Sequence, residues 1–259
     1  MQGDVSIPNA AYLHINAGAE VRFASTDSQM GGVDNSRVEV TVKSGGTLEI
    51  NGTAAASVTL LADGAANPLV WVGIVVESGA TSVDLHHMVL QHSSSGVWNS
   101  AAAGVVVLDG VTLAGNALDL TQIGGAGNPA ISGTLAAGRF SGNLVIPSGA
   151  TLDLNRTNGL VQSGTFALSS GATYRPALSD VSSYEQLQVS GTSVTLAGAL
   201  DLDVASLTAS TGQSFRLIDK LGALAVSGSS RGSARALSST RAAIASRSRT
   251  WAAPGTTSW

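Results

Sequence analysis

The chain has 259 residues, a formal net charge of −4, 12% charged and 4% aromatic residues, 31 glycines and no cysteine. The missing thiols exclude a disulfide scaffold, a thiol enzyme and a cysteine-based zinc site. The acidic balance speaks against a nucleic-acid partner, which needs clustered Lys and Arg.

Apolar residues, mostly Val, Leu, Ala and Ile, make up 44% of the chain and recur in short pieces. That regularity is not the composition of a disordered chain, and it favours a stack of thin layers. The opening MQGDVSIPNA lacks the basic-then-apolar order of a signal peptide. The chain therefore reads as cytosolic or as an internal piece of something longer.

A recurring phrase follows. It reads NAGAEVRF at 16–23, KSGGTLEI at 43–50, ESGATSVDL at 77–85, PSGATLDL at 147–154 and SSGATYRP at 169–176. In each copy a small polar residue and glycine make a turn, and a short apolar–polar–apolar strand follows in the clearer ones. The longest apolar run, PLVWVGIVV at 68–76, is too short to span a bilayer, so no membrane insertion is expected.

A stricter match aligns LHHMVLQHSSSGV at 85–97 with LDGVTLAGNAL at 108–118. Leu85, Met88 and Leu90 then fall on Leu108, Val111 and Leu113 at a constant offset of 23. A fixed period of about 20–50 residues marks a solenoid. Short strands without helical periodicity point to an all-β chain, a right-handed parallel β-helix whose coils close the core by stacking. The competing architecture is an antiparallel β-sandwich, which these in-register ladders and the scarcity of hairpin signals disfavour. Leu48, Ile50, Leu152 and Leu154, with the six aligned residues, are expected to point inward.

Candidate chemistry is sparse. Asp84, His86, His87 and His92 form the densest ionisable group away from the termini, and clustered imidazoles can bind zinc or act as acid and base. The alignment sets His86 and His87 on the Asp-Gly turn of the next coil, so solvent-facing turn residues are expected. Asp84, Asp109 and Asp119 are the carboxylates a glycoside hydrolase would draw on. No Lys or Arg stands between Lys43 and Arg139, so a lyase would lack a partner for a substrate carboxylate.

GGAGNP at 124–129 lacks the Lys-Ser/Thr of a phosphate loop. Asp201 and Asp203 on one strand face are too few for calcium. Trp71 reads as a packing residue, and Trp98 as a residue able to stack on sugars. No catalytic, metal or cofactor residue is assigned.

With these phrases in hand, the chain resembles bacterial exported right-handed β-helix proteins, namely autotransporter passengers and filamentous-haemagglutinin-like adhesins. VEVTVKSGGTLEINGT at 38–53 is similar to their strand–turn–strand coil, and VWVGIVVESGA at 70–80 to their W-x-G-I coil. The segment YEQLQVSGTSVTLAGALDLDV at 184–204, with GQSFRLID at 212–219, resembles the strands that follow the repeats in many passengers. The resemblance covers 4–228. It implies a secreted or bacterial outer-surface location, a structural or adhesive role without enzymatic activity, and a host or surface ligand such as carbohydrate. A β-helical polysaccharide lyase or hydrolase is the alternative, and a ligand-free spacer a third reading.

The expected organisation is β-helix repeats over 1–180, terminal coils over 181–229 and a distinct tail over 230–259. That tail holds five arginines after Ser230 and no Asp or Glu. Family members continue with a GSFAGL turn and an ending like GGxGNDVVL. A one-nucleotide deletion at Ser230 allows both to be read in the neighbouring frame. The tail is therefore expected to be out of frame and disordered, the other reading being a basic segment for an anionic surface.

Overall fold

In the computed structural model, residues 1–64, 66–208, 213–221, 226–228 and 231–235 are described. Among these the chain is all strand and turn, and every strand pairing is parallel. The path repeats in threes. One strand is laid on each of three faces before the chain climbs to the next coil, which gives a parallel β-helix of nine coils.

The first face is sheet 1, nine strands from Val5–Ile7 through Ile74–Val76 and Ser95–Asn99 to Ile218–Lys220. The third face is sheet 3, nine strands from Glu20–Phe23 through Met88–Gln91 and Thr151–Asp153 to Arg231–Arg235. The middle face is divided. Sheet 2 holds Tyr12–Asn16, Thr47–Asn51, Ser82–His86, Val106–Asp109 and Ala130–Ser132. Sheet 4 takes over with Leu144–Ile146, Thr165–Leu168, Ser193–Leu196 and Val226–Gly228. Sheets 1 and 3 run on across residue 180, and the change of sheet falls between Ser132 and Leu144.

The offset of 23 is structural. Leu85 pairs with Leu108 and Leu90 with Leu113. All ten residues expected to face inward are 2% exposed or less. Each strand alternates, because successive side chains point to opposite faces: in Thr47–Asn51, Leu48 and Ile50 are buried while the other three are not. Burying each such aliphatic side chain stabilises the fold by about 1.5–3 kcal/mol. No single coil encloses a core, so the gain appears only on stacking.

The copies of the recurring phrase do not all lie on one face. Glu20–Phe23 lies in sheet 3 and pairs with Val58–Ala62, whereas Thr47–Asn51 lies in sheet 2 and pairs with Tyr12–Asn16. A glycine turn followed by an apolar–polar–apolar strand suits the entrance to either face, so the phrase marks corners without saying which. The tail also does not begin as an unpaired segment. Arg231–Arg235 pair residue for residue with Ala199–Asp203, because parallel pairing uses backbone groups that any sequence carries. The expectation for 236–259 lies outside the described residues.

The W-x-G-I stretch shows why its residues are needed. Trp71 is fully buried and stacked on Phe23, with ring centroids 3.9 Å apart and 4° between planes. Its indole N–H donates to the Gln91 carbonyl at 2.9 Å. At Gly73 φ is 125°, and a Cβ there would stand 2.0 Å from the Ser95 carbonyl oxygen. Only glycine allows the two coils to approach at that point.

Candidate functional site

The outward positions of sheet 2 fall into three rows that climb the helix in register. The first is Tyr12, Thr47 and Ser82. The second is His14, Glu49 and Asp84, continuing to Val107 and Ala130. The third is Asn16, Asn51, His86, Asp109 and Ser132. Neighbours within a row are about 4.8 Å apart, and rows are about 7 Å apart along the strand. Three carboxylates, two imidazoles, a phenol, two amides and several hydroxyls thus share one flat face.

The side chains on this face are hydrogen-bonded to one another. The Tyr12 hydroxyl donates to Glu49 Oε2, and His14 Nδ1 lies 3.1 Å from the same oxygen. His14 Nε2 is 2.9 Å from Asn16 Oδ1, and Asn51 donates to Glu49 Oε1 at 3.3 Å. Ser82 donates to Asp84 at 2.6 Å, and His86 Nδ1 is 3.3 Å from Asp109 Oδ2. The Tyr12 hydroxyl and then His14 hold the Glu49 carboxyl below its usual range. Ser132 does the same for Asp109, with burial opposing it and His86 adding to the lowering. Both groups are therefore ionised at neutral pH.

Sheet 4, which continues this side of the molecule, is chemically different. Its register row reads Val145, Ala167, Thr195 and Ser227. The ionisable face begins and ends with sheet 2.

Asp84, His86 and Asp109 all belong to this array. Asp84 pairs with Val107 and Asp109 with His86, so the two aspartates are one coil apart and out of register, as expected. His86 is the last residue of the strand Ser82–His86, not a turn residue, and about a third of its side chain is exposed. His87 is at the corner, with φ 43°, and His92 turns the following corner with φ 63°. The coil above places Gly110 and Gly115 at these positions, with φ 62° and 65°. A Cβ on Gly110 would sit 2.6 Å from the His87 ring.

A non-glycine residue at such φ is strained, by about 1–3 kcal/mol at most. His87→Gly and His92→Gly are therefore expected to leave stability unchanged or to raise it by up to about 1 kcal/mol, since glycine relieves the strain but gains freedom in the unfolded chain. Urea unfolding followed by circular dichroism measures this. A loss above 2 kcal/mol would mean that the rings hold the corners together.

The remaining candidates are elsewhere. Asp119 is fully buried, accepting from Asn116 Nδ2 at 3.0 Å and from the Gly138 and Arg139 N–H groups at 2.8 and 2.9 Å. Its place is inside a corner, out of reach of any substrate. The glycines of 124–129 form a corner, with Asn99 donating to the Gly127 carbonyl. Asp201 is paired with Arg175 at 3.2 Å and Asp203 caps the Ala205 N–H. Trp71 is core, as read from the sequence. Trp98 is part-exposed between Val75 and Thr121 on sheet 1. Among the described residues no three His, Asp or Glu side chains are arranged to hold a metal ion, and no helix is long and apolar enough to cross a membrane.

Tyr12, His14, Asn16, Glu49 and Asn51 escaped the sequence reading. Their signal is the five-residue frame YLHIN, TLEIN, SVDLH, in which positions one, three and five are polar and two and four apolar. No known protein family, curated protein or solved structure matches the chain.

Proposed function

We propose that the protein is a non-catalytic, secreted or cell-surface β-helix module of the exported bacterial passenger and adhesin type, and that the outer face of sheet 2 contacts its ligand. The observation that carries this reading is the in-register array of Tyr12, His14, Glu49, Asp84, His86 and Asp109 on a flat face that the rest of that side does not share. A regular donor and acceptor array with an exposed phenol fits a hydroxyl-rich polymer, a carbohydrate chain lying along the coils. The stretch 44–138, which supplies most of sheet 2, contains no Lys or Arg. An acidic polysaccharide would be repelled there, so the fitting ligand is neutral or amine-bearing.

One observation favours the second reading, a carbohydrate-active enzyme: Glu49 and Asp84 are register neighbours on adjacent strands. Against it, glycosidic hydrolysis needs one carboxyl kept protonated as the acid, and Tyr12 and His14 hold the Glu49 carboxyl below its usual range, unfit for that role.

A panel of neutral, amine-bearing and uronate polysaccharides separates the readings. Retention on neutral or amine-bearing polymers without release of reducing ends or unsaturated products is the expected result. Product release that stops in Glu49→Gln would establish the enzyme instead, and preferential binding of uronates would remove the assigned face.

A further inference from the structure

We propose, on the basis of the ligand face assigned above, that His14 and His86 make it a proton-gated one: on mild acidification each ring takes up a proton, cancels charge on the face and engages a carboxylate that the ligand uses at neutral pH.

Both nitrogens of the His14 ring stand on acceptors. Nδ1 lies 3.1 Å from Glu49 Oε2, and Nε2 lies 2.9 Å from Asn16 Oδ1. A neutral imidazole has one N–H and can donate to only one of them, whereas the imidazolium donates to both. The Tyr12 hydroxyl, 3.0 Å from Nδ1, meets the same carboxylate oxygen. His86 repeats part of this arrangement two coils on. Its Nδ1 is 3.3 Å from Asp109 Oδ2, so each ring is set against the carboxylate of the following coil.

The charged groups around the two rings are acidic. His14 has Tyr12 on its own strand, faces Glu49 from the next, and has Asp84 beyond it in the same row. His86 has Asp84 on its own strand, faces Asp109 from the strand above and acts on Glu49 in the strand below. His87, at the adjoining corner, acts on Asp109 as well. Lys43, at the corner before Thr47–Asn51, is held by Glu77 at 2.8 Å, and the stretch 44–138 adds no Lys or Arg.

Tyr12 and His14 hold the Glu49 carboxyl below its usual range, as Ser132 does that of Asp109. These carboxylates therefore keep their charge over the window of about pH 5 to 8 in which imidazoles change theirs. As pH falls, the two added protons cancel two of the three formal negative charges of Glu49, Asp84 and Asp109. Glu49 Oε2 then carries an imidazolium N–H in addition to the Tyr12 hydroxyl and is less free to accept from a ligand. A cationic polymer is bound at neutral pH and released by mild acid.

The probe is a neutral glucan derivatised with quaternary ammonium groups, whose own charge does not change with pH. Its affinity, read by titration calorimetry at low salt, is expected to fall about fivefold from about pH 7.5 to about pH 5.5, the effect of two charges near a protein surface. Added salt should shrink that fall. His14→Gln combined with His86→Gln keeps hydrogen-bonding groups that do not titrate and should flatten the profile. His92→Gln, at the corner after Met88–Gln91, should leave the profile as it is. A flat profile in the wild type, or one equally steep in the double variant, would overturn the gate while leaving the ligand face in place. Binding at neutral pH that neither Glu49→Gln nor Asp84→Asn weakens would remove the ligand face, and the gate with it.

Discussion

Trp71→Ala is expected to cost about 3–5 kcal/mol, the range of a large aromatic removed from a close-packed core. Three losses combine. The indole is fully buried, its stack on Phe23 of the neighbouring layer is lost, and the Gln91 carbonyl loses its donor. An unsatisfied buried carbonyl alone costs about 1–3 kcal/mol. Trp71→Phe keeps a ring on Phe23 but not the N–H, and should cost roughly half as much. Because each coil contacts its neighbours only, exchange should accelerate in coils one to three and stay slow beyond coil six. A cost under 1 kcal/mol, read by urea unfolding, would show that the stack is not what joins these coils.

Asp119→Ala should be comparably severe, at about 3–5 kcal/mol, because it breaks a buried pair from one side. The Arg156 guanidinium stands 3.6 Å from Asp119 Oδ2, and its Nε has no hydrogen-bond partner. Removing the carboxylate would leave that charge uncompensated and strip the Gly138 and Arg139 N–H groups of their acceptor. Burial raises the Asp119 carboxyl above its usual range, with the Gly138 N–H and Arg156 opposing. Its contribution therefore weakens as pH rises through and above the ordinary carboxylate range. The double variant Asp119→Ala/Arg156→Ala should cost clearly less than the two single variants added together, as coupled neighbours do. Strict additivity would mean that the two side chains act on separate parts of the corner.

What the sequence disclosed follows from what repetition demands. Leu85, Met88 and Leu90 must be replaced by Leu108, Val111 and Leu113 one coil later, because a slip of one residue would turn the buried set outward. That constraint is written in residue type and spacing, and every inward position named from it is buried. The corners at His87 and His92 were visible for the same reason, each matched by a glycine one coil on. The outward rows carry no such constraint, since a solvated strand face accepts almost any polar residue. Tyr12, His14 and Glu49 became neighbours only once Tyr12–Asn16 was placed beside Thr47–Asn51. Asp119 was legible as a carboxylate but not as a buried one, because its acceptor role is to backbone N–H groups 19 and 20 residues away. The passage from sheet 2 to sheet 4 shows only in the outward residues, which change from His14, Glu49 and Asp84 to Val145, Ala167 and Thr195, and these line up only once the strand register is known.

The most direct test of the functional reading compares two sets of substitutions on the same side of the molecule. Tyr12→Ala, Glu49→Gln and Asp84→Asn alter the outer face of sheet 2, while Ala167→Ser and Thr195→Ala alter that of sheet 4. Affinity for the retained polysaccharide, measured by titration calorimetry on variants with unchanged circular dichroism, should drop at least tenfold in the first set, about 1.4 kcal/mol, and not in the second. Equal affinity throughout, or a loss confined to the sheet 4 variants, would contradict the assignment of the ligand to sheet 2.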